Sequence, residues 1–155
     1  MAEVRRVYLD HCCVCRPFDG TTQERILRES WAVMRLYELQ EQGKCKIVIS
    51  PVHRTELARI RDLAKGIVIE SVLDKLEEGS VEESLYQGFG TRFIALGLGT
   101  LDAYHLACAT ILRVDVFLTC DDGICRKKRD INTIEPSLHV ENVLEWVDRL
   151  EESWR

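Results

Sequence analysis

Within "YLDHCCVCRPFD", residues 8–19, stand Asp10, His11, Cys12, Cys13 and Cys15, all side chains that bind cations. Two chemistries compete there. Cys12 and Cys15 have the C-x2-C spacing of half a structural zinc site. The other half is missing, because Cys45, Cys108, Cys120 and Cys125 include no second pair of that spacing. The rival chemistry belongs to Asp10, one of four acids that recur at comparable places in the chain. Asp10 follows the apolar run "VRRVYL" and Asp121 follows "VFLTC"; Glu56 lies shortly after "KIVIS", and Asp102 opens "LDAYHLACATIL".

The elements needed to position these acids are legible in the pattern. Residues 4–9 and 45–50 read as short buried strands, the second rich in β-branched residues. Thr21 with Glu24 has capping-box spacing and opens a helix through about Gln42, with Ile26, Leu27, Val33, Met34 and Tyr37 at helical intervals and Gly43 closing it. Ser50-Pro51 is a helix start: an N-cap oxygen, then a residue lacking the N–H that a first turn leaves unpaired. That helix carries His53 and Glu56 on one face. "GIVIESVLDKLEEG" suits a helix better than a strand, and Ser80 with Glu83 predicts another capped helix to about Leu96. "LDAYHLACATIL" is a buried helix, Val114–Leu118 a strand, "INTIEP" a last strand, and "HVENVLEWVDRLEESW" a closing helix with Val140, Val143, Leu144, Val147 and Leu150 on one stripe.

Strands alternating with helices, without hairpin signals, predict a single α/β domain over residues 1–155, a three-layer α/β/α sandwich with a mostly parallel central sheet. In such sheets the carboxyl ends of strands and the starts of the helices that follow share one edge. Four segments therefore deliver Asp10, Glu56, Asp102 and Asp121 to one place. Singly, an acid at a helix start is a cap and an acid after a strand is a turn residue. Together they repel, and a divalent cation resolves that repulsion. All-oxygen ligation suits Mg²⁺ or Mn²⁺, which keep waters and take substrate phosphates as further ligands.

Composition narrows the classes. The net charge of −5 argues against a protein that coats nucleic acid non-specifically, yet permits a nuclease whose acids hold the metal. Seven cysteines with no framework are expected to be reduced thiols. No apolar run reaches the length of a membrane span, and "MAEVRR" leads straight into a strand pattern, so a cytoplasmic protein without membrane association is expected. A phosphatase of the haloacid dehalogenase type needs Asp-x-Asp, whereas Asp10 is followed at that spacing by Cys12. "GLGT" precedes a helix but follows no clear strand, so no phosphate-cradling loop is read there.

"VYLDHCC", "ISPVHRTEL", "LDAYHLACA" and "FLTCDD" resemble, in order, the four acidic motifs of PIN-domain ribonucleases, a family that includes the toxins of VapBC-type toxin–antitoxin pairs. The resemblance runs from about residue 5 to residue 135, and "CRPFDG" is similar to a subset whose Cys-rich first motif runs into Arg-Pro-Phe-Asp. It implies Mg²⁺- or Mn²⁺-dependent hydrolysis of RNA, with Asp10, Glu56, Asp102 and Asp121 as metal-binding and catalytic acids. Thr119 matches a hydroxyl that the family often places two residues before the last acid, and Asp122 is adjacent to a matching position. His11 departs from the Thr or Ser that many relatives carry after the first Asp. The resemblance further implies a small antitoxin partner and a homodimer. Thr119, Arg16 near the first acid, His105 one turn beyond Asp102 and the "RKKR" run at 126–129 are candidate contacts to RNA. The alternative is a PIN-like RNA- or protein-binding module whose nuclease activity is lost or dormant.

Overall fold

The computed structural model describes residues 4–20 and 22–154. Its strands β1 (Arg5–Leu9), β2 (Cys45–Ile49), β3 (Glu77–Glu78), β4 (Val116–Thr119) and β5 (Val140–Asn142) form one sheet in the order β3-β2-β1-β4-β5. Every pairing is parallel, with Val7 opposite both Ile47 and Val116. The helices are α1 (His11–Cys15), α2 (Glu24–Glu41), α3 (Pro51–Leu57), α4 (Leu63–Leu73), α5 (Glu83–Ile94), α6 (Thr100–Ile111), α7 (Asp122–Arg126), α8 (Lys128–Ile134) and α9 (Val143–Glu152).

Side chains alternate across a strand, and that alternation builds two cores. Val7, Leu9, Ile47, Ile49, Val116 and Leu118 face one side, where they meet buried residues of α1, α2, α4 and α9. Tyr8, Val48, Phe117 and Val140 face the other, against α3, α5, α6, α7 and α8. Tyr8 and Phe117 stack there with ring centroids 5.3 Å apart. The expected three layers are present. Among the described residues no helix is long and apolar enough to cross a membrane.

Several local expectations are corrected. "INTIEP" is helical through Ile134: Ile131 turns fully inward from α8, and the last strand is β5, pairing Phe117 with Val140. Val140 accordingly belongs to the sheet, and α9 starts after Asn142, whose side chain accepts from the Leu144 and Glu145 N–H groups. Helix α5 starts at Glu83 after an N-cap Glu82 with no side-chain cap bond, so the Ser80–Glu83 box does not form. Thr21 lies outside the described residues; α2 itself starts at Glu24 without a side-chain cap. The buried stripe of α2 is Ala32, Val33, Leu36 and Leu39, while Leu27 and Met34 are half exposed. The Cys-rich turn is helix α1 followed by a 3₁₀ turn at Arg16–Phe18. Gly43 does close α2, at φ 74°, a left-handed conformation that glycine adopts without steric cost.

Candidate active site at the carboxyl edge of the sheet

The chain crosses from the β1–β2–β3 side of the sheet to the β4–β5 side, so strand order reverses between β1 and β4. A crevice opens at such a point, beyond the strands' carboxyl ends. Asp10 stands there directly after β1, its N–H continuing the ladder to Leu118 O at 2.9 Å. The carboxylate is 3% exposed. Its Oδ1 accepts from the His11 N–H at 2.9 Å, and its Oδ2 accepts from the Thr119 hydroxyl at 2.7 Å and the Cys12 thiol at 3.3 Å. Burial holds Asp10 well above the usual carboxylate range; the Cys12 thiol and the Asp102 charge push the same way, against the Thr119 bond.

Thr119 is fully buried and ties two acids together, donating to Asp10 and accepting the Asp121 N–H at 3.0 Å. It therefore holds the site from beneath rather than meeting substrate. Asp121 is exposed, and its Oδ1 caps α7 through the Gly123 and Ile124 N–H groups at 2.7 and 3.3 Å. Its neighbour Asp122 turns away, in a bidentate pair with Arg25 at 2.7 and 2.8 Å.

Asp102 arrives from the other side. Helix α6 precedes β4 and runs back across the sheet, which places its first turn at the same edge. Partial burial, then the charges of Asp121 and Glu56, raise the Asp102 pKa to about 6. Glu56 lies in the second turn of α3, whose start is locked by a capping box between Ser50 and His53. Burial also raises Glu56 above its ordinary value, opposed by His11 and Arg59.

Behind Glu56 runs a buried relay. His105 Nε2 lies 2.6 Å from Glu56 Oε1, its Nδ1 lies 2.6 Å from the Tyr8 hydroxyl, and that hydroxyl lies 2.6 Å from Ser50 Oγ. An ionised Glu56 only accepts, so the network assigns Nε2–H as its donor, Tyr8 as donor to Nδ1 and Ser50 as donor to Tyr8. Burial keeps His105 neutral, with its pKa lowered to about 3. His53, also buried, accepts from the Ser50 N–H at Nδ1 and donates from Nε2 to Leu9 O at 2.7 Å.

Two proposed RNA contacts are thereby corrected, and a third is weakened. His105 is fully buried and spends both nitrogens on Tyr8 and Glu56. Thr119 is equally buried. Arg16 pairs with Asp19 at 3.2 Å and with the buried Glu29 at 3.3 Å, so its charge is committed within the fold. Of the basic run, Lys128 and Arg129 line a groove of about 440 Å³ with His139 and Arg149, a groove that includes none of the four acids.

The four carboxylates interact across the edge without closing into a cage. Among the described residues, the one set of three or more ligand atoms lying within 4.8 Å of one another belongs to Cys12, Cys13 and Cys120. Among the described residues, too, Asp10, Asp102 and Asp121 form no ion pair with lysine or arginine, whereas Glu29 and Asp122 do. The cysteine trio was hidden from sequence reasoning because Cys120 lies 107 residues from Cys13; the β1–β4 pairing alone brings them together. Tyr8 and Ser50 were missed for a similar reason, each reading as an ordinary strand or cap residue.

No protein-family model matches the sequence, and no curated protein matches it. A solved structure does resemble the fold: a chain of VapBC2 from Rickettsia felis, determined bound to a DNA fragment from their promoter, superposes with a TM-score of 0.56 at 18% identity, over 88% of this chain and 98% of that one. At that identity the likeness concerns the fold. The sheet order, the layers and this likeness together give the chain a three-layer α/β/α PIN-like fold.

Proposed function

We propose that the chain is a Mg²⁺- or Mn²⁺-dependent endoribonuclease and the toxin of a toxin–antitoxin pair, acting as a homodimer and restrained by a small antitoxin protein. One observation carries the catalytic reading: acids from four segments share one sheet edge, and three of them, Asp10, Asp102 and Asp121, lack a cationic partner among the described residues. The donor set fits a hard cation. Its open spacing suits an ion that keeps several waters rather than one gripped by protein oxygens alone. The VapBC2 likeness supports the toxin–antitoxin setting.

Asp10, Asp102 and Asp121 would hold the ion, and Glu56 would fix a ligand water. When bound, a divalent cation lowers the pKa of water and offsets charge on the phosphate and the leaving oxygen. The chain's own part is positional. Thr119 aims the Asp10 carboxylate, the Ser50–Tyr8–His105 relay aims Glu56, and burial keeps both acids in place. Glu56, oriented in this way, would accept a hydrogen bond from that water and orient it for attack.

Incubating the purified chain with RNA under Mn²⁺, Mg²⁺ or chelator tests the proposal. Cleavage is expected only with metal, and Asp10→Asn or Asp102→Asn is expected to lower it at least about 100-fold while circular dichroism stays unchanged. Full cleavage by either folded variant would sink the assignment. A folded wild type that binds neither ion would favour the dormant binding module.

A further inference from the structure

We propose that Cys12, Cys13 and Cys120 form a second cation site, for a thiophilic ion of the zinc class. The three Sγ atoms lie within 4.8 Å of one another, and Cys13 Sγ is 3.4 Å from Cys120 Sγ. Sulfurs bound at ~2.3 Å around a tetrahedral zinc stand roughly 3.8 Å apart, so closing the site needs shifts of no more than about an ångström. A disulfide at ~2.05 Å would demand a far larger move.

Packing alone does not account for the surroundings of these sulfurs. Cys12 Sγ accepts the Cys120 N–H at 3.4 Å and lies 3.5 Å from Thr119 Oγ1. Cys13 Sγ lies 3.6 Å from Leu118 O. Cys12 also donates to Asp10 and Cys13 to the Leu118 carbonyl, so fixed partners hold these two sulfurs in place, as outer groups do at metal sites. Register makes the arrangement obligatory: Leu9 pairs with Leu118, so the residues that follow each strand must meet. Cys13 and Cys120 are buried and Cys12 is half-buried, which makes the Cys12 side the entry path.

Three protein sulfurs leave the fourth tetrahedral position to a water; Asp10 Oδ2 accepts from the Cys12 thiol at 3.3 Å but does not belong to the set of atoms within 4.8 Å of one another. Each thiol that ligates gives its proton to solvent, and no electron changes hands. Cys15 takes no part; its Sγ sits 3.3 Å from His11 Nε2, so the C-x2-C pair is divided between two neighbourhoods. The site is independent of the nuclease reading.

The test is a titration of the reduced, full-length chain with Cd²⁺, followed in the ultraviolet by the sulfur-to-metal charge-transfer band. One equivalent is expected to bind, Zn²⁺ to displace it, and the half-buried Cys12→Ser to weaken binding by more than about 100-fold. Cys120→Ala, checked for folding by circular dichroism, is expected to behave alike, while Cys125→Ser keeps the band. Absence of the band on folded, reduced protein, or its survival in both trio variants, overturns the site.

Discussion

Asp102 sits half-buried beside two other acids, and its pKa is raised first by that burial and then by their uncompensated charge at the sheet edge. In the metal-free chain its value is about 6 when folded, against about 3.9 for an unfolded aspartate. A group raised on folding contributes stability that is fully present below the unfolded value and lost as pH climbs through the folded one. Asp102→Asn is therefore expected to raise the melting temperature at pH 7.5 and to leave it nearly unchanged at pH 4. After discounting for solvent screening the gain is about 1–2 kcal/mol, roughly 2–8 °C. An equal effect at both pH values would show that the charge is already neutralised. Of this residue the sequence disclosed the helix start; its neighbours' charges became visible only when α3, α6 and β4 were brought to one edge.

Helix α3 shows how an element carries the site. Its start combines the Ser50 oxygen accepting from Val52 N at 3.2 Å with the His53 ring accepting from Ser50 N at 3.0 Å. The same Ser50 oxygen continues into Tyr8 and His105, so the cap that begins the helix also orients the acid one turn later. Tyr8→Phe leaves buried polar partners unpaired and is expected to cost about 1–3 kcal/mol. Ser50→Ala is expected to cost about 0.5–2 kcal/mol through the lost cap. Urea unfolding of both and of the double variant should give less than the sum, since the two changes remove one shared bond. Strict additivity would mean the relay carries no coupling. Ser50-Pro51 was readable because cap chemistry is local, whereas "INTIEP" misled because its β-branched Ile131, Thr133 and Ile134 have strand composition, and packing against the sheet chose the helix.

At the scale of the whole molecule, the proposed function makes a divalent cation held at the acidic edge an expected stabilising ligand of the folded state. Mn²⁺ at a hundredfold excess over its dissociation constant is expected to add about 2.7 kcal/mol of stability, read as a rise in melting temperature. Asp10→Asn is expected to abolish that rise, and a rise retained in the variant would place the ion elsewhere. The sequence by itself determined most of the alternation of strands and helices, with β3 and the last strand excepted, the parallel sheet, and the position of each acid near a strand end or helix start. Those properties follow from local periodicity, capping and turn chemistry, which neighbours in sequence specify. Tertiary structure alone decided which side chains are buried behind the acids, that His105 and Thr119 support carboxylates rather than face RNA, and that Cys120 joins Cys12 and Cys13. Strand register and burial are pairings between distant segments, and no local pattern encodes their partners.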